Sequence, residues 1–195
     1  MRPTLQTKPR LAERRADLDV RADGGLRVAV VADTHSHPHA KSLRWIAELH
    51  PDAILHAGDI GDPKVCEDLQ GIAPLYAIRG NIDTHAADLP DVVTMDWRDG
   101  GRSVLRLLLI HIAVYGPKLR SDAAALARAR GAGLVVCGHS HVPFMGRDRG
   151  LVVFNPGSIG PRRFQLPIVF GVLELAGGKL EMHHVDCESG ERWSP

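Results

Sequence analysis

From Leu26 the chain settles into a repeating rhythm of short apolar run, polar loop, amphipathic stretch and apolar run again. "LRVAVVAD" (26–33), "DAILHAGD" (52–59) and "PLYAIRGN" (74–81) have the aliphatic density of strands buried on both faces. Between them, "AKSLRWIAELH" (40–50) sets Leu43, Ile46, Ala47 and Leu49 at helical spacing, and "PKVCEDLQGI" (63–72) predicts a helix opened by Pro63. The second half predicts strands over "VVTMDW" (92–97) and "SVLRLLLIHI" (103–112), then a helix over "SDAAALARARGA" (121–132) with Ser121 as its cap. "GLVVCGH" (133–139), "LVVFNPGS" (151–158), "PIVFGVLELA" (167–176) and "KLEMHHVD" (179–186) read as further strands, the last two joined by a Gly177-Gly178 turn.

Ahead of this rhythm, "LDVRADGGLRVAVVAD" reads as two strands around Asp23-Gly24-Gly25, because Asp-Gly favours a tight hairpin turn. Residues 1–17 are polar and carry Pro3 and Pro9, so they read as a poorly ordered extension to a single domain at 18–195. A β/α half followed by a β-rich half predicts α/β layering with more than one sheet.

Composition narrows the function. Of 195 residues 44% are hydrophobic, which supports a packed core without staples, and the formal net charge of +1 offers no basic face for nucleic acid or a membrane surface. Cys66, Cys137 and Cys187 share no metal-type spacing and read as reduced thiols of a cytoplasmic protein. The start has no apolar signal core, and the most apolar run, 104–114, is too short to span a bilayer. The oligomeric state stays open, with a homo-oligomer among the alternatives. What stands out is the count of 11 histidines, because several fall where strands end.

Five strand ends carry Asp33-Thr34-His35, Gly58-Asp59, Gly80-Asn81-Ile82-Asp83, His111 and Gly138-His139-Ser140-His141. Loops at the carboxyl ends of strands are the usual place for a site in α/β proteins. Alone, each piece has a plainer reading: an Asp after a strand caps or turns, Gly-Asp turns, a buried His bonds to the core. Together they supply an oxygen and nitrogen donor set without a thiolate. That set suits Mn, Fe, Ni, Zn or Co, with manganese favoured. Seven donors exceed one four-coordinate ion but fit two ions sharing a carboxylate.

The blocks "DTH", "GD", "GNID", a lone His after an apolar strand and "GHSH" resemble the calcineurin-like metallophosphoesterase superfamily. "HAGD", "RGNID" and "NPGSIGPR" are most similar to its small single-domain phosphodiesterase branch. The resemblance implies a four-layer α/β/β/α sandwich of two mixed β-sheets flanked by helices. It implies that Asp33, His35 and His141 hold one ion and Asn81, His111 and His139 the other, with Asp59 bridging both. It also implies hydrolysis of a small-molecule phosphoester, most of all a phosphodiester: the ions acidify a bridging water, and hydroxide attacks phosphorus in line with the departing alcohol. Asp59, Asn81 and His139 are then the catalytic candidates.

Two positions depart from the pattern. Many members carry, directly after the motif Asn, a His thought to act as general acid; here that position is Ile82, which transfers no proton. The family usually places Gly after the lone His, and this chain has Ile112. Arg79, Arg162 and His37 are candidates for substrate contact, His56 for orienting a ligand, Asp83 for anchoring the Asn81 loop, and Asn155 and Ser158 for the site wall. The competing reading is a protein-binding scaffold on the same fold, as in a retromer subunit, for which lost ligands would be expected. A metallo-β-lactamase is disfavoured because its His-x-His-x-Asp-His run is absent.

Overall fold

The computed structural model describes residues 11–194. Strands β1 (Glu13–Asp19) and β2 (Leu26–Val31) lead to α1 (Ser42–Glu48), β3 (Ala53–His56), α2 (Lys64–Gln70) and β4 (Leu75–Ala77). There follow β5 (Val92–Asp99), β6 (Arg102–Ile110), the short β7 (Val114–Tyr115) and β8 (Lys118–Leu119), α3 (Ser121–Ala129) and β9 (Leu134–Val136). The chain closes with β10 (Phe144–Asp148), β11 (Leu151–Asn155), β12 (Val169–Ala176), β13 (Lys179–Asp186) and β14 (Arg192–Trp193).

Two six-stranded sheets carry the fold, in the orders β1-β5-β6-β9-β11-β10 and β14-β13-β12-β2-β3-β4. Both are mixed: β2, β3 and β4 run parallel, as do β6, β9 and β11, while hairpin partners run antiparallel. Strand periodicity sorts the apolar residues into three layers. Val28, Val30, Leu55, Leu107, Leu109 and Val136 enter the cluster between the sheets, together with Trp97 and Phe154. Their neighbours Ala29, Val31 and Ile54 face outward and pack on Ile46 of α1 and Val65 and Leu69 of α2. On the opposite outer face, Leu108 and Val135 pack on Ala123, Ala124 and Ala127 of α3. The layering is α/β/β/α, and near-continuous apolar strands such as β2 and β9 are buried on both faces.

Three local expectations change. Glu13–Asp19 is not an extension: it pairs in parallel with β5 over its whole length, while residues 1–10 lie outside the described residues. Its alternating exposure marks a polar edge strand, which is why composition read it as loose. Asp23-Gly24-Gly25 does turn the chain, with Gly24 donating to the Arg21 carbonyl, but it hands the chain from one sheet to the other instead of closing a hairpin. Helix α3 begins at Ser121 itself after an extended Arg120, so Ser121 caps nothing. The Gly177-Gly178 turn joins β12 to β13, both residues having the positive φ such a two-residue turn needs. Among the described residues no helix is long and apolar enough to cross a membrane.

Candidate metal centre

Because β2, β3 and β4 are parallel in one sheet and β6 and β9 in the other, five loops leave their sheets at the same edge. Backbone bonds then stitch them together. Asp33 N–H donates to Gly58 O, His35 N–H to Asp59 O, and Gly138 N–H to His111 O. The His139 N–H crosses between sheets to the Asp33 carboxylate, 2.9 Å from Oδ2.

The stitching brings six of the seven candidate ligands into two groups of three: Asp33, His35 and His141, and Asp59, His111 and His139. Within each group the potential ligand atoms lie within 4.8 Å of one another. Asp59 stands between the groups. Its Oδ1 is 3.3 Å from His111 Nε2 in its own group, and its Oδ2 is 3.7 Å from His35 Nε2 in the other. The His35 and His141 rings stack at 5.3 Å, and the His111 and His139 rings meet edge to face at 5.2 Å. Asn81 follows Gly80, whose backbone lies against Asp59, and it lines a cleft together with His111.

Steric crowding explains the glycines. A Cβ on Gly80 would lie 2.2 Å from Asp59 N, and one on Gly58 2.7 Å from His111 Nδ1, so only glycine lets these two loops close on each other. Backbone strain gathers at the same place. Nine described non-glycine residues have positive φ, and five of them are Asp33, His35, Asp59, His139 and His141. Such clustering is typical of sites where the surroundings dictate the conformation.

The electrostatics point to a cation. Burial, with the Asp59 carboxylate adding to it against the opposing pull of His111, pushes Asp33 up to about 7. Asp59 sits below the ordinary carboxylate range: burial opposes this, but its contact with His111 and the Ile82 N–H bond outweigh it. Burial also lowers His35 and His139 and holds His141 at about 4, so these rings stay neutral and keep lone pairs for a ligand. His111 Nδ1 lies 2.7 Å from the Ala57 carbonyl and donates to it, and Nε2 faces Asp59 Oδ1. Burial opposes a charge on this ring, but its contacts with Asp59 and Ala57 outweigh burial and raise its pKa, so a cation at Nε2 would take the place of a proton. The buried His111 Nε2 and His141 Nδ1 have no hydrogen-bond partner. Two buried or half-buried carboxylates and four histidines converging in two groups fit divalent cations.

A supporting layer holds the ligands. His56, fully buried, accepts the Gly58 N–H at Nδ1 and donates to Thr34 Oγ1, which donates to Ile60 O. It thus fixes loop backbone and touches no ligand side chain through these bonds. Asp83 accepts N–H bonds from Ile60, Gly61 and Gly80, tying the Asp59 loop to the Asn81 loop. Asn155 donates to Gly138 O and Ser140 Oγ, and Ser158 Oγ donates to Asp33 O, so "NPGS" does more than turn the chain. His184 contributes unforeseen support, bonding Asn155 O from beneath a stack with Phe154.

Both candidate arginines already have protein partners. Arg79 is committed to Asp91 by two bonds of 2.6 and 3.0 Å, and Arg162 is held by Leu166 O and Glu188. The arginine that reaches the centre is Arg163, whose Nη2 donates to His35 Nε2 at 3.1 Å. Sequence offers the two side by side and does not tell which one points inward. His37 stays exposed and outside both groups.

Comparison with known proteins gives the same direction. A probable metallophosphoesterase of Methanothermobacter thermautotrophicus is 31% identical over 157 residues, covering 79% of this chain and 88% of the relative. The phosphodiesterase YfcE of Escherichia coli is 30% identical over 114 residues, covering 57% of this chain and 59% of the relative. Among solved structures, vacuolar protein sorting 29 of Cryptosporidium parvum superposes with a TM-score of 0.70 at 18% identity, over 88% of this chain and 96% of its own. The profile of the calcineurin-like phosphoesterase superfamily domain spans residues 26–178, a stretch that holds both ligand groups and every loop that positions them, and to that superfamily the chain belongs.

Proposed function

We propose that the protein is a phosphodiesterase that works with two divalent cations, one held by Asp33, His35 and His141, the other by Asn81, His111 and His139, with Asp59 serving both. The observation that carries this reading is Asp59: its two oxygens face opposite histidine groups at 3.3 and 3.7 Å. Bound there, the cations would acidify water and neutralise phosphoryl oxygens, the two requirements of ester hydrolysis at neutral pH. The chain supplies the rest. Asp33, buried and held by the His139 N–H, fixes the first site; Ile82 N–H orients Asp59 through its bond to Oδ1 at 3.1 Å. Arg163 brings a guanidinium to the rim of the first site, where it can take a phosphoryl oxygen. Ile82 leaves its position without a proton donor, which favours diesters whose alcohol departs unassisted.

The scaffold reading draws on the fold likeness to vacuolar protein sorting 29, but that likeness speaks to fold, and here all seven ligand positions are filled. The test is metal reconstitution with manganese, then assay against phosphomonoesters, phosphodiesters and cyclic nucleotides, with Asp59→Asn in parallel. Diester hydrolysis with two metal equivalents per chain, abolished in the variant, is the expected result. Undiminished hydrolysis by Asp59→Asn would remove the bridging role.

A further inference from the structure

His111 and Asn81 also line a cleft of about 700 Å³ that the ligand chemistry leaves unused. It runs between the Arg79–Asn81 loop, Ile110 and Ile112, and the outer side of α3, with Leu11 at its border. We propose that this cleft binds a bulky apolar ester group of the substrate, so that the protein selects phosphodiesters carrying a large hydrocarbon substituent over those carrying small or polar ones. The inference rests on the phosphodiesterase reading and names the substrate class for the same centre.

The chemistry of the lining decides the ligand. Helix α3 presents Ala125, Leu126 and Ala129 to the cleft, and Ala125 and Ala129 are exposed although apolar. The charged residues of the lining already neutralise one another, Arg79 with Asp91 and Arg120 with Asp122. An ionic or sugar-like group would find those charges committed and apolar surface around it. At the inner end stands His111, only 5% exposed, with its Nε2 3.3 Å from the Asp59 carboxylate of the candidate metal centre. The cleft is therefore continuous with the place where a phosphoryl group would sit, and its volume falls within the usual range for small-molecule sites, far above what a methyl ester needs. A hydrocarbon body in the cleft with its anionic head at the His111 and Asn81 end matches both halves of this surface.

The probes are methylphosphonate, hexylphosphonate and 2-naphthylmethylphosphonate, whose P–C bonds do not hydrolyse, titrated calorimetrically into the manganese-loaded full chain. The two larger probes should bind at least about tenfold tighter than methylphosphonate, as burial of several hydrocarbon carbons implies. Ala125→Trp should fill the cleft and erase that advantage while leaving methylphosphonate affinity and metal stoichiometry unchanged. Should Ala125→Trp fail to fold, Ala129→Glu, at another exposed helical position, carries the same comparison. Equal affinities for the three probes, or an advantage that survives substitution, would overturn the proposal. A concentration-dependent dimer that excludes the naphthyl probe would give the cleft to a second copy and also overturn it. If probe binding behaves as expected but the loaded chain hydrolyses no diester, the phosphodiesterase reading fails and the ester group fails as occupant with it. If diesters are hydrolysed without regard to their hydrocarbon group, only the cleft assignment falls.

Discussion

Asp83→Asn is the most informative single substitution, because it changes one oxygen to nitrogen at a residue outside both candidate ligand groups. Asp83 is 6% exposed, and its carboxylate accepts the N–H groups of Ile60 at 3.0 Å, Gly61 at 2.9 Å and Gly80 at 2.7 Å. Hydrogen bonds to a charged acceptor contribute about 1.5–3 kcal/mol each. Asparagine keeps one acceptor oxygen, which retains the Ile60 bond and one of the two glycine bonds, and turns an amide donor toward the remaining N–H, so one of the three bonds is lost. The expected destabilisation is about 1.5–3 kcal/mol, a large share of the ~5–15 kcal/mol that holds a typical domain folded. The same change should reach the metals. Ile60 and Gly61 directly follow Asp59, and Gly80 directly precedes Asn81, so both ligands lose their common anchor. Loss of such outer support typically costs about 10–100-fold in metal affinity. Urea unfolding in the presence of a chelator reads the first effect, and manganese titration by calorimetry reads the second. A loss under about 0.5 kcal/mol together with metal affinity within about twofold of the parent would refute the anchoring argument.

Ile82 predicts a steep dependence of hydrolysis rate on leaving-group pKa across aryl and alkyl phosphodiesters, since no side chain at that position protonates the departing alcohol. Ile82→His should flatten that dependence and raise alkyl diester turnover by as much as ~10²–10⁴-fold; a flat dependence in the parent chain would sink the idea. Arg163→Ala should raise KM for diesters about tenfold with metal stoichiometry intact. Arg162→Ala should leave KM where it was, because that guanidinium is already occupied by Leu166 O and Glu188. Identical KM values for the two variants would return Arg163 to the surface.

Strand and helix positions are legible in this sequence because the buried strands are dense in aliphatics and the helices between them keep their spacing, as with Ile46 on α1 and Val65 and Leu69 on α2. The ligand loops are legible because they sit at the ends of those strands. What composition hides is pairing. Strand β1 is polar on its exposed side, so nothing in "ERRADLD" announces that it extends a sheet beside β5. Strand β10, with exposed Met145 and Arg147, is invisible for the same reason. Side-chain direction is hidden as well. Arg162 and Arg163 are equivalent on paper, and only their partners in the fold separate them, Leu166 O and Glu188 for the first and His35 Nε2 for the second. His184 looks like one of a solvated pair until burial and its 2.7 Å bond to Asn155 O assign it to the floor beneath "NPGS".

The strain at the centre bears on the choice between enzyme and scaffold. Holding a residue other than glycine in the left-handed region costs about 1–2 kcal/mol, somewhat less for Asp. Five such residues meet here, and one of them is the fully buried Asp33, whose ionised form burial disfavours. The combined cost, roughly 5 kcal/mol from the backbone alone, is comparable to the net stability of a small domain. A protein that used only its outer surface would gain nothing from this arrangement. It could relax by replacing any one of the five residues with glycine. Bound divalent cations would offset this cost, because they would pair with the carboxylates and take the histidine lone pairs. The strain is intelligible if the loops are built for the metal-loaded state, and that is the state in which ester hydrolysis would run.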